Sequence, residues 1–137
     1  MQIREWIYVL DQCDALRTLL LQGRVGETYN TGAMVSICNI DLVKKICQML
    51  DQLLPSSEHK PHEKLIRFVK DRPGHDRRYA VNNFKFEEET GWRCKNDFDK
   101  ALFNTIEWYL KNSEWLDSIR SGSFKTWVSQ QYGSTCV

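Results

Sequence analysis

The sequence lacks any long apolar run, any large excess of one charge and any closely spaced cysteine pair. No apolar stretch approaches the roughly 18 residues of a membrane-spanning helix, and the first residues do not resemble a signal peptide. The formal net charge is +1 and the pI about 7.6, whereas nucleic-acid-binding proteins usually carry a strongly basic face. We therefore expect a cytoplasmic protein without membrane or nucleic-acid partners.

The cysteines and histidines form no recognisable disulfide or metal pattern. Five cysteines form an odd set without a Cys-x-x-Cys pair, which favours reduced thiols over a disulfide framework. Cys47 is interpreted as core filler. His59 and His62 flank Lys60-Pro61 but lack carboxylate or thiol partners at useful spacing, so no metal site is predicted. The cysteines are Cys13, Cys38, Cys47, Cys94 and Cys136.

The chain shows neither an internal repeat nor a linker long enough to divide it. Its 137 residues suit a single domain. The hydrophobic fraction of 42% and the charged fraction of 27% are ordinary for a globular protein, so disordered and collagen-like classes are set aside.

Apolar periodicity and capping residues predict several helices. Asp11 is predicted to cap a helix over 12–22 that Gly23 ends. Asn39 is predicted to open the clearest helix, which continues to the residues before Pro55. Asn39 is either a plain cap or a group at a helix N-terminus that faces a phosphate. Further helices are predicted over 84–89, from Phe98 to about Asn112, over 114–120 and over 124–131.

Four segments are predicted to be extended because β-forming residues are prominent in them. They are 2–10, 26–32, 65–69 and 79–81. The third, which alternates like a strand, leads directly into the most highly charged run of the chain, and functional sites are often on loops at strand ends.

That run is Asp71-Arg72-Pro73-Gly74-His75-Asp76-Arg77-Arg78-Tyr79. Pro73-Gly74 is predicted to occupy the centre of a type II turn, with Arg72 and His75 on either side. The planar fork of donors on arginine matches phosphate oxygens, so the run favours a phosphate ligand. The alternative is a solvated turn whose charges pair with one another.

The same run, read with several other segments, resembles the dTDP-glucose 4,6-dehydratases of the extended short-chain dehydrogenase/reductase superfamily. The nine-residue charged run is the most specific of these segments, and the resemblance covers nearly the whole chain. The other matching segments are Arg4 to Val9 with Asp11, Gly26 to Asn30 with Gly32, Asn39 to Val43, Gly91-Trp92 and Thr105 to Leu110.

This resemblance implies the C-terminal, substrate-binding part of an α/β extended short-chain dehydrogenase fold. Mainly helices with short strands are expected, without the Rossmann half that binds NAD in the parent enzyme. Residues 1–133 would form the sugar-nucleotide-binding region, and 134–137 a tail. The implied parent activity is that of a lyase, the NAD-dependent dehydration of dTDP-glucose to dTDP-4-keto-6-deoxyglucose.

The resemblance also implies site residues. Arg4 and Arg72 would hold the pyrophosphate of a dTDP-sugar, and Asn39 would lie near it. Asp71 and His75 would contact the ribose or phosphate side. We expect Arg77 and Arg78, which belong to the same run, to pair with other groups and support the site rather than contact the ligand.

The sequence departs from the family pattern at several positions of the matched region. Leu10 and Gln12 stand where an acid and a histidine are usual, and residues 33–38 replace a loop rich in glycine and charge. Cys38 takes the place of a basic residue just before Asn39. We therefore expect weaker phosphate affinity than in the family.

The chemistry of the parent reaction needs groups that this chain does not contain. Neither Gly-x-x-Gly-x-x-Gly nor Gly-x-Gly-x-x-Gly occurs, no tyrosine is followed four residues later by lysine, and the family's Asp-Glu acid pair is missing. No catalytic, cofactor-binding or metal-binding residue is predicted, NAD is not expected to bind this chain alone, and the chain alone is expected to be inactive. Three alternatives stay open: a chain that works with a separate Rossmann-domain partner, a non-catalytic dTDP-sugar-binding or protein-interaction module, and part of an NDP-sugar epimerase.

Overall fold

The computed structural model describes residues 2–120, 126 and 130. Residues 2–120 contain five α-helices, one 3₁₀ helix and a two-stranded sheet, which agrees with the expectation of mainly helices with short strands. The elements in chain order are β1 Ile3–Glu5, α1 Val9–Gln22, β2 Ser36–Cys38, α2 Asn39–Leu53, the 3₁₀ helix His62–Leu65, α3 Phe84–Thr90, α4 Phe98–Lys111 and α5 Ser113–Arg120.

The chain divides into two compact units, one up to Phe103 and the other from Asn104. The boundary falls within α4, so no linker separates the units. In the second unit, the rings of Trp108, Tyr109 and Trp115 contact one another, with centroid distances of 5.1 to 6.2 Å. The predicted helix over 124–131 and Cys136 lie outside the described residues, apart from Thr126 and Gln130, which are helical.

The sheet is built on the N-terminal strand. β1 pairs with β2 in antiparallel register, so that Ile3 lies opposite Cys38 and Arg4 opposite Ile37. On its other side β1 meets the charged run through a parallel bridge between Ile3 and Arg78. The amide of Ile3 donates to the carbonyl of Arg77 at 2.7 Å, and the amide of Tyr79 donates to the carbonyl of Ile3 at 3.2 Å. β1 therefore connects β2 to the charged run.

The apolar core of the first unit lies between α1, α3 and the segment that follows α3. Ala15 and Phe86 are fully buried, and Trp92 is 4% exposed. The Phe86 ring lies 5.3 Å from that of Trp92 and 5.9 Å from that of Tyr29. Leu19 packs against the edge of this cluster. Cys47 on α2 is also buried, which confirms its assignment to the interior.

The helices with clear end signals follow their predictions closely. α2 ends at Leu53, just before Pro55. α3 ends at Gly91, whose φ of 69° is the left-handed conformation that favours glycine. At the start of α3 the N-cap residue Asn83 makes no side-chain cap bond, but Asn82 Oδ1 accepts the amide of Phe84 at 2.8 Å. At the start of α4, Asp97 Oδ1 accepts the amide of Lys100 at 2.9 Å.

The start of α1 was predicted wrongly. The helix begins at Val9 rather than residue 12, so the extended segment over 2–10 contains only the short strand β1. Asp11 is not a cap but lies buried inside the first turn. Its carboxylate accepts the Asn96 side-chain amide at 2.8 Å, the Lys95 amide at 3.3 Å and the Cys94 thiol at 3.1 Å. Asp11 therefore binds residues 94–96, which are distant in sequence, instead of capping its own helix.

The other three segments that were predicted to be extended form no strand. These are residues 26–32, residues 65–69 and residues 79–81, where only the amide of Tyr79 bonds to the backbone of β1. The first segment is held by side chains instead: the Tyr29 hydroxyl donates to Glu89, and Lys85 donates to the Thr28 carbonyl at 3.1 Å. In the second segment, Phe68 is 85% exposed. A β-type pattern forms a strand only when a neighbouring strand supplies hydrogen bonds, and no described strand pairs with either of these two segments.

Candidate functional site

The charged run turns sharply at Pro73-Gly74, as predicted. Gly74 has a φ of 68°, which is the conformation that a type II turn requires at its third position. The turn separates its two flanking side chains. His75 is directed to β1, where it contacts Arg4. The guanidinium of Arg72 makes no hydrogen bond or ion pair with any described residue.

Three of the predicted site residues form one hydrogen-bonded chain. Arg4 Nη2 lies 2.7 Å from His75 Nε2, and His75 Nδ1 lies 2.7 Å from Asp71 Oδ1. Arginine has only donors, so His75 Nε2 must accept and the ring proton must lie on Nδ1. That proton is then donated to Asp71. The network therefore assigns a neutral imidazole in the Nδ1–H form.

Asp71 lies at the accepting end of this Arg4–His75–Asp71 chain of hydrogen bonds. Its Oδ1 also accepts the Arg72 amide at 2.9 Å, and its Oδ2 accepts the side-chain amide of Gln2. The hydrogen bond from His75 is the main reason why the pKa of Asp71 lies below its usual value. Asp71 is thus an ionised acceptor at neutral pH, and it connects the turn to the strand β1 at Gln2.

The Arg4 guanidinium carries a charge that no carboxylate neutralises within the described part of the chain. Arg4 donates to the carbonyl oxygens of Ile3 at 2.7 Å and of Asp76 at 2.9 Å. It also lies over the ring of Tyr79, 4.7 Å from the centroid. All of these partners are neutral, and Arg4 is half-buried. Burying a cation is costly unless it is paired, so an anion is the natural missing partner.

The Tyr79 hydroxyl donates to the carboxylate of Asp76, and this bond raises the pKa of Tyr79. The positive charges of Arg4 and Arg72 act in the opposite direction on that pKa.

The remaining arginines of the run do not pair as predicted. Arg77 and Arg78 are exposed, and their guanidinium groups form no ion pair with any residue in 2–120. Their support of the site comes from the backbone, since both lie along β1. Together with Arg72, they leave three exposed cations without carboxylate partners around one turn, which is an arrangement suited to a polyanion.

Asn39 is the first residue of α2, not its cap. Cys38 occupies the N-cap position without a side-chain cap bond, so this helix end has no side-chain acceptor for its free amides. Asn39 reaches the site indirectly, because its amide donates to the carbonyl of Gln2 at 3.0 Å. Its Oδ1 is buried and accepts from no described donor. The side-chain oxygen of Asn39 can therefore still accept a hydrogen bond, and Asn39 lies beside Gln2, the residue that donates to Asp71.

A pocket of about 200 Å³ opens beside Arg4 and Tyr79. Glu5 lies on its wall and joins two loops, because its carboxylate accepts the amides of Met34 and Val81, each at 3.0 Å. Gly32 lines the same pocket. A Cβ at Gly32 would lie 2.1 Å from Glu5 Oε1, so this close approach requires glycine.

The other histidine cluster has a structural explanation. His62 is 6% exposed, and its Nδ1 lies 2.5 Å from Asp51 Oδ1 while its Nε2 lies 3.3 Å from Ser57 Oγ. The backbone amides of His62 and His59 donate to the same Asp51 and Ser57 oxygens. These bonds fold the loop after α2 back onto the helix. No group of three or more His, Cys, Asp or Glu residues in 2–120, 126 and 130 is placed to hold a metal ion.

The structure therefore brings Arg4, Asp71 and His75 into direct contact and places Arg72 and Asn39 at the edges of the same site. Sequence reasoning missed Gln2 and Glu5. Gln2 directly precedes β1 and Glu5 is its last residue, but the pattern of an extended segment alone does not show which polar residue meets a distant loop. None of the described helices is long and apolar enough to cross a membrane.

Comparison with known families and proteins gives matches over most of the chain. Residues 1–105 match the family described as GDP-mannose 4,6 dehydratase. A curated dTDP-glucose 4,6-dehydratase from Xanthomonas campestris is 45% identical over 124 residues, which cover 90% of this chain and 35% of that protein. The dTDP-glucose 4,6-dehydratase 1 of Escherichia coli K12 is 43% identical over 96% of this chain and 36% of its own length. The chain thus spans about a third of the length of these relatives.

Solved structures give a consistent result. The dTDP-glucose 4,6-dehydratase of Bacillus anthracis in complex with NAD matches 84% of this chain and 33% of its own, with 38% identity and a TM-score of 0.67. The Streptomyces venezuelae enzyme with NAD and TYD bound matches 83% of this chain and 33% of its own, with 32% identity and a TM-score of 0.69. The fold of the matched region is therefore that of one third of an NAD-binding dehydratase.

Proposed function

Because this chain belongs to the GDP-mannose 4,6 dehydratase family, we propose that it binds the diphosphate of a dTDP-sugar as the substrate-clamping part of a dTDP-glucose 4,6-dehydratase. The observation that carries this proposal is the half-buried Arg4, which is held by neutral partners only and has no carboxylate counterion among the described residues. A nucleotide diphosphate supplies the missing negative charge.

The proposed roles follow from where each group lies. Arg4 and Arg72 bind the diphosphate oxygens, since neither guanidinium forms an ion pair with a carboxylate among the described residues. Asn39 binds beside them at the N-terminus of α2, a position that favours anions. His75 lies against Arg4 on the ribose or phosphate side, and Asp71 holds His75 in place.

The activity of the whole enzyme is a further part of the proposal. We assign this chain to a cytoplasmic lyase of deoxysugar biosynthesis that dehydrates dTDP-glucose to dTDP-4-keto-6-deoxyglucose with NAD. The glycine-rich turn and the Tyr-x-x-x-Lys pair that this chemistry needs are not in this sequence. Purified alone and supplied with NAD and dTDP-glucose, the chain should show no turnover, and dehydration above the no-protein control would contradict the claim that the catalytic groups lie outside this chain.

The dehydratase is favoured over the NDP-sugar epimerase because the matching relatives described above, at 43% and 45% identity, are all dTDP-glucose 4,6-dehydratases. A binding module that senses dTDP-sugars without catalysis would use the same clamp. The dehydratase segment and the non-catalytic module would bind the dTDP-sugar in the same way, so binding is the property to test first.

Calorimetric titration with dTDP and dTDP-glucose tests the clamp. Arg72→Ala removes a charge-assisted phosphate contact and should cost about 1.5 to 3 kcal/mol, or roughly tenfold or more in affinity. Arg17→Ala is the matched control, because Arg17 is an exposed residue of α1 whose only side-chain partner among the described residues is Asp14. Binding that Arg72→Ala weakens and Arg17→Ala leaves unchanged supports the proposal. No binding by the wild type, or equal effects of both substitutions, contradicts it.

A further inference from the structure

We propose that His75 is a proton-linked positioning residue: in its neutral form it holds Arg4, and it takes up a proton when a nucleotide diphosphate binds. This inference rests on the proposed function. It adds that binding at this site becomes tighter as the pH falls, and that the effect comes from one named imidazole.

The first step is the state of the free site. Arg4 Nη2 lies 2.7 Å from His75 Nε2, a distance at which two N–H groups cannot face each other. His75 must therefore offer its Nε2 lone pair to Arg4. A second proton on the ring would remove this acceptor and place two cations in contact.

The second step is that the ring cannot easily turn away. His75 Nδ1 donates to Asp71 Oδ1 at 2.7 Å, and the imidazole side chain is only 21% exposed. Asp71 is itself held by the Arg72 amide and by the Gln2 side chain. Nε2 therefore faces the Arg4 guanidinium whether or not it carries a proton. When Nε2 is protonated, Arg4 loses this hydrogen bond and must find another partner.

The third step is what an anion changes. A phosphate oxygen beside Arg4 and His75 accepts hydrogen bonds from both once Nε2 carries a proton, and hydrogen bonds between charged groups are the stronger kind. The anion also separates the two cations electrostatically. Since binding favours protonation, protonation favours binding by the same free energy.

The charged groups around His75 are consistent with an affinity that rises as the pH falls. Arg4, which contacts Nε2, opposes a proton on His75 in the free site, and a bound anion offsets its charge. Asp71 favours the charged ring. The carboxylate of Asp76, the next residue in the chain, keeps its negative charge while it accepts the neutral Tyr79 hydroxyl, so it acts in the same direction as Asp71. Gln2, the remaining polar side chain in the network, is neutral.

Calorimetric titration with dTDP-glucose between pH 8.0 and 5.5 tests the linkage. This ligand is chosen because both phosphates are esterified, so it lacks the phosphomonoester group that titrates with a pKa near 6. We expect affinity to rise as the pH falls, on the order of tenfold over the range. Repeating the titration in buffers of different ionisation enthalpy should show net proton uptake.

Two variants separate His75 from other titrating groups. His75→Gln keeps an acceptor for Arg4 but cannot titrate, so its affinity should no longer depend on pH. His59→Gln removes an exposed histidine outside the site and should keep the wild-type pH dependence. A pH-independent wild-type affinity without proton uptake, or a pH dependence that survives in His75→Gln, would overturn the inference while leaving the proposed function intact. No binding by the wild type at any pH would overturn the proposed function and the inference with it.

Nitrogen NMR of the free chain at neutral pH tests the starting state without a ligand. The ring shifts of His75 should show a protonated Nδ1 and an unprotonated Nε2. The opposite tautomer in the free chain would overturn the inference, because Nε2 could not then accept from Arg4.

Discussion

The charged run 71–79 and helix α3 are separated by four residues, yet different forces hold them. In α3, Phe86 is fully buried against aromatic and aliphatic neighbours. In the charged run, every residue except His75 is exposed, and the fold depends on hydrogen bonds from Gln2, Ile3 and Arg4 of the N-terminal segment. Stability and ligand binding therefore depend on neighbouring but distinct sets of side chains. Substitutions in one set should change stability, and substitutions in the other should change binding.

The largest effect on stability is expected at Phe86. Phe86→Ala leaves a cavity between Trp92 and Tyr29 and should lower the free energy of unfolding by about 3 to 5 kcal/mol. Phe84→Ala on the same helix is the control, because Phe84 is 60% exposed and should cost far less. Urea unfolding followed by tryptophan fluorescence measures both. Equal losses in the two variants would contradict the assignment of the core.

Asp11 should come next, because its buried carboxylate joins α1 to the segment before α4. Asp11→Ala leaves the Asn96 side chain and the Lys95 amide without their acceptor, which should cost about 1 to 3 kcal/mol per unsatisfied group. Asp14→Ala, which removes ion pairs with the exposed Arg17 and Lys95, should cost less than Asp11→Ala. Thermal unfolding of the two variants should show this order, and the reverse order would refute it.

The contribution of Asp11 should also depend on pH with a definite sign. Burial raises the pKa of Asp11, but hydrogen bonds from Cys94, Asn96 and the Lys95 amide together outweigh burial, so the pKa lies below the ordinary 3.8. A depressed carboxyl pKa stabilises the fold above the unfolded-state pKa and ceases to do so as the pH falls through the folded-state pKa. The stability difference between wild type and Asp11→Asn should therefore narrow below pH 3.8. A constant difference would argue against this account.

A substitution at Gly32 should affect both stability and binding, because Gly32 packs against Glu5 beside Arg4. A Cβ there would meet Glu5 Oε1 at 2.1 Å and Val81 at 2.9 Å, so Gly32→Ala should displace the carboxylate that holds the Met34 and Val81 amides. We expect a loss of about 1 to 3 kcal/mol in the free energy of unfolding. Because Glu5 is next to Arg4, dTDP-glucose binding should weaken as well. A variant as stable as the wild type would show that this contact is not close in solution.

Arg72 should show the smallest effect on stability and the clearest effect on binding. Its guanidinium has no partner among the described residues, so Arg72→Ala should change the free energy of unfolding by less than about 0.5 kcal/mol. The same variant should lose nucleotide affinity. A large loss of stability would mean that Arg72 belongs to the scaffold rather than to the site.

Local signals predicted the helices well because those signals act over a few residues. The apolar face of α2, Gly91 after α3 and Asp97 before α4 each fix a boundary without help from distant residues. Asp11 and residues 26–30 were misassigned because their partners are distant in sequence: Asp11 binds residues 94–96, and Tyr29 binds Glu89.

The candidate site shows the same division. The composition of the charged run was enough to predict its turn, which the structure confirms, while the anion ligand stays a prediction. The composition did not show that Arg4 meets His75, that Gln2 holds Asp71, or that Arg77 and Arg78 leave their guanidinium groups unpaired in the described part of the chain. Those facts depend on the parallel bridge between β1 and the run, which joins residues more than 70 positions apart.

The most direct test of the central claim is an amide-resolved NMR titration of the wild-type chain with dTDP-glucose. The account predicts shift changes centred on residues 2–4, the first turn of α2 and residues 71–79, while the amides around Phe86 and Trp92 stay unchanged. Shift changes centred elsewhere, such as on Trp108 and Trp115, or no change at saturating ligand, would contradict the claim that this segment is a nucleotide-diphosphate clamp.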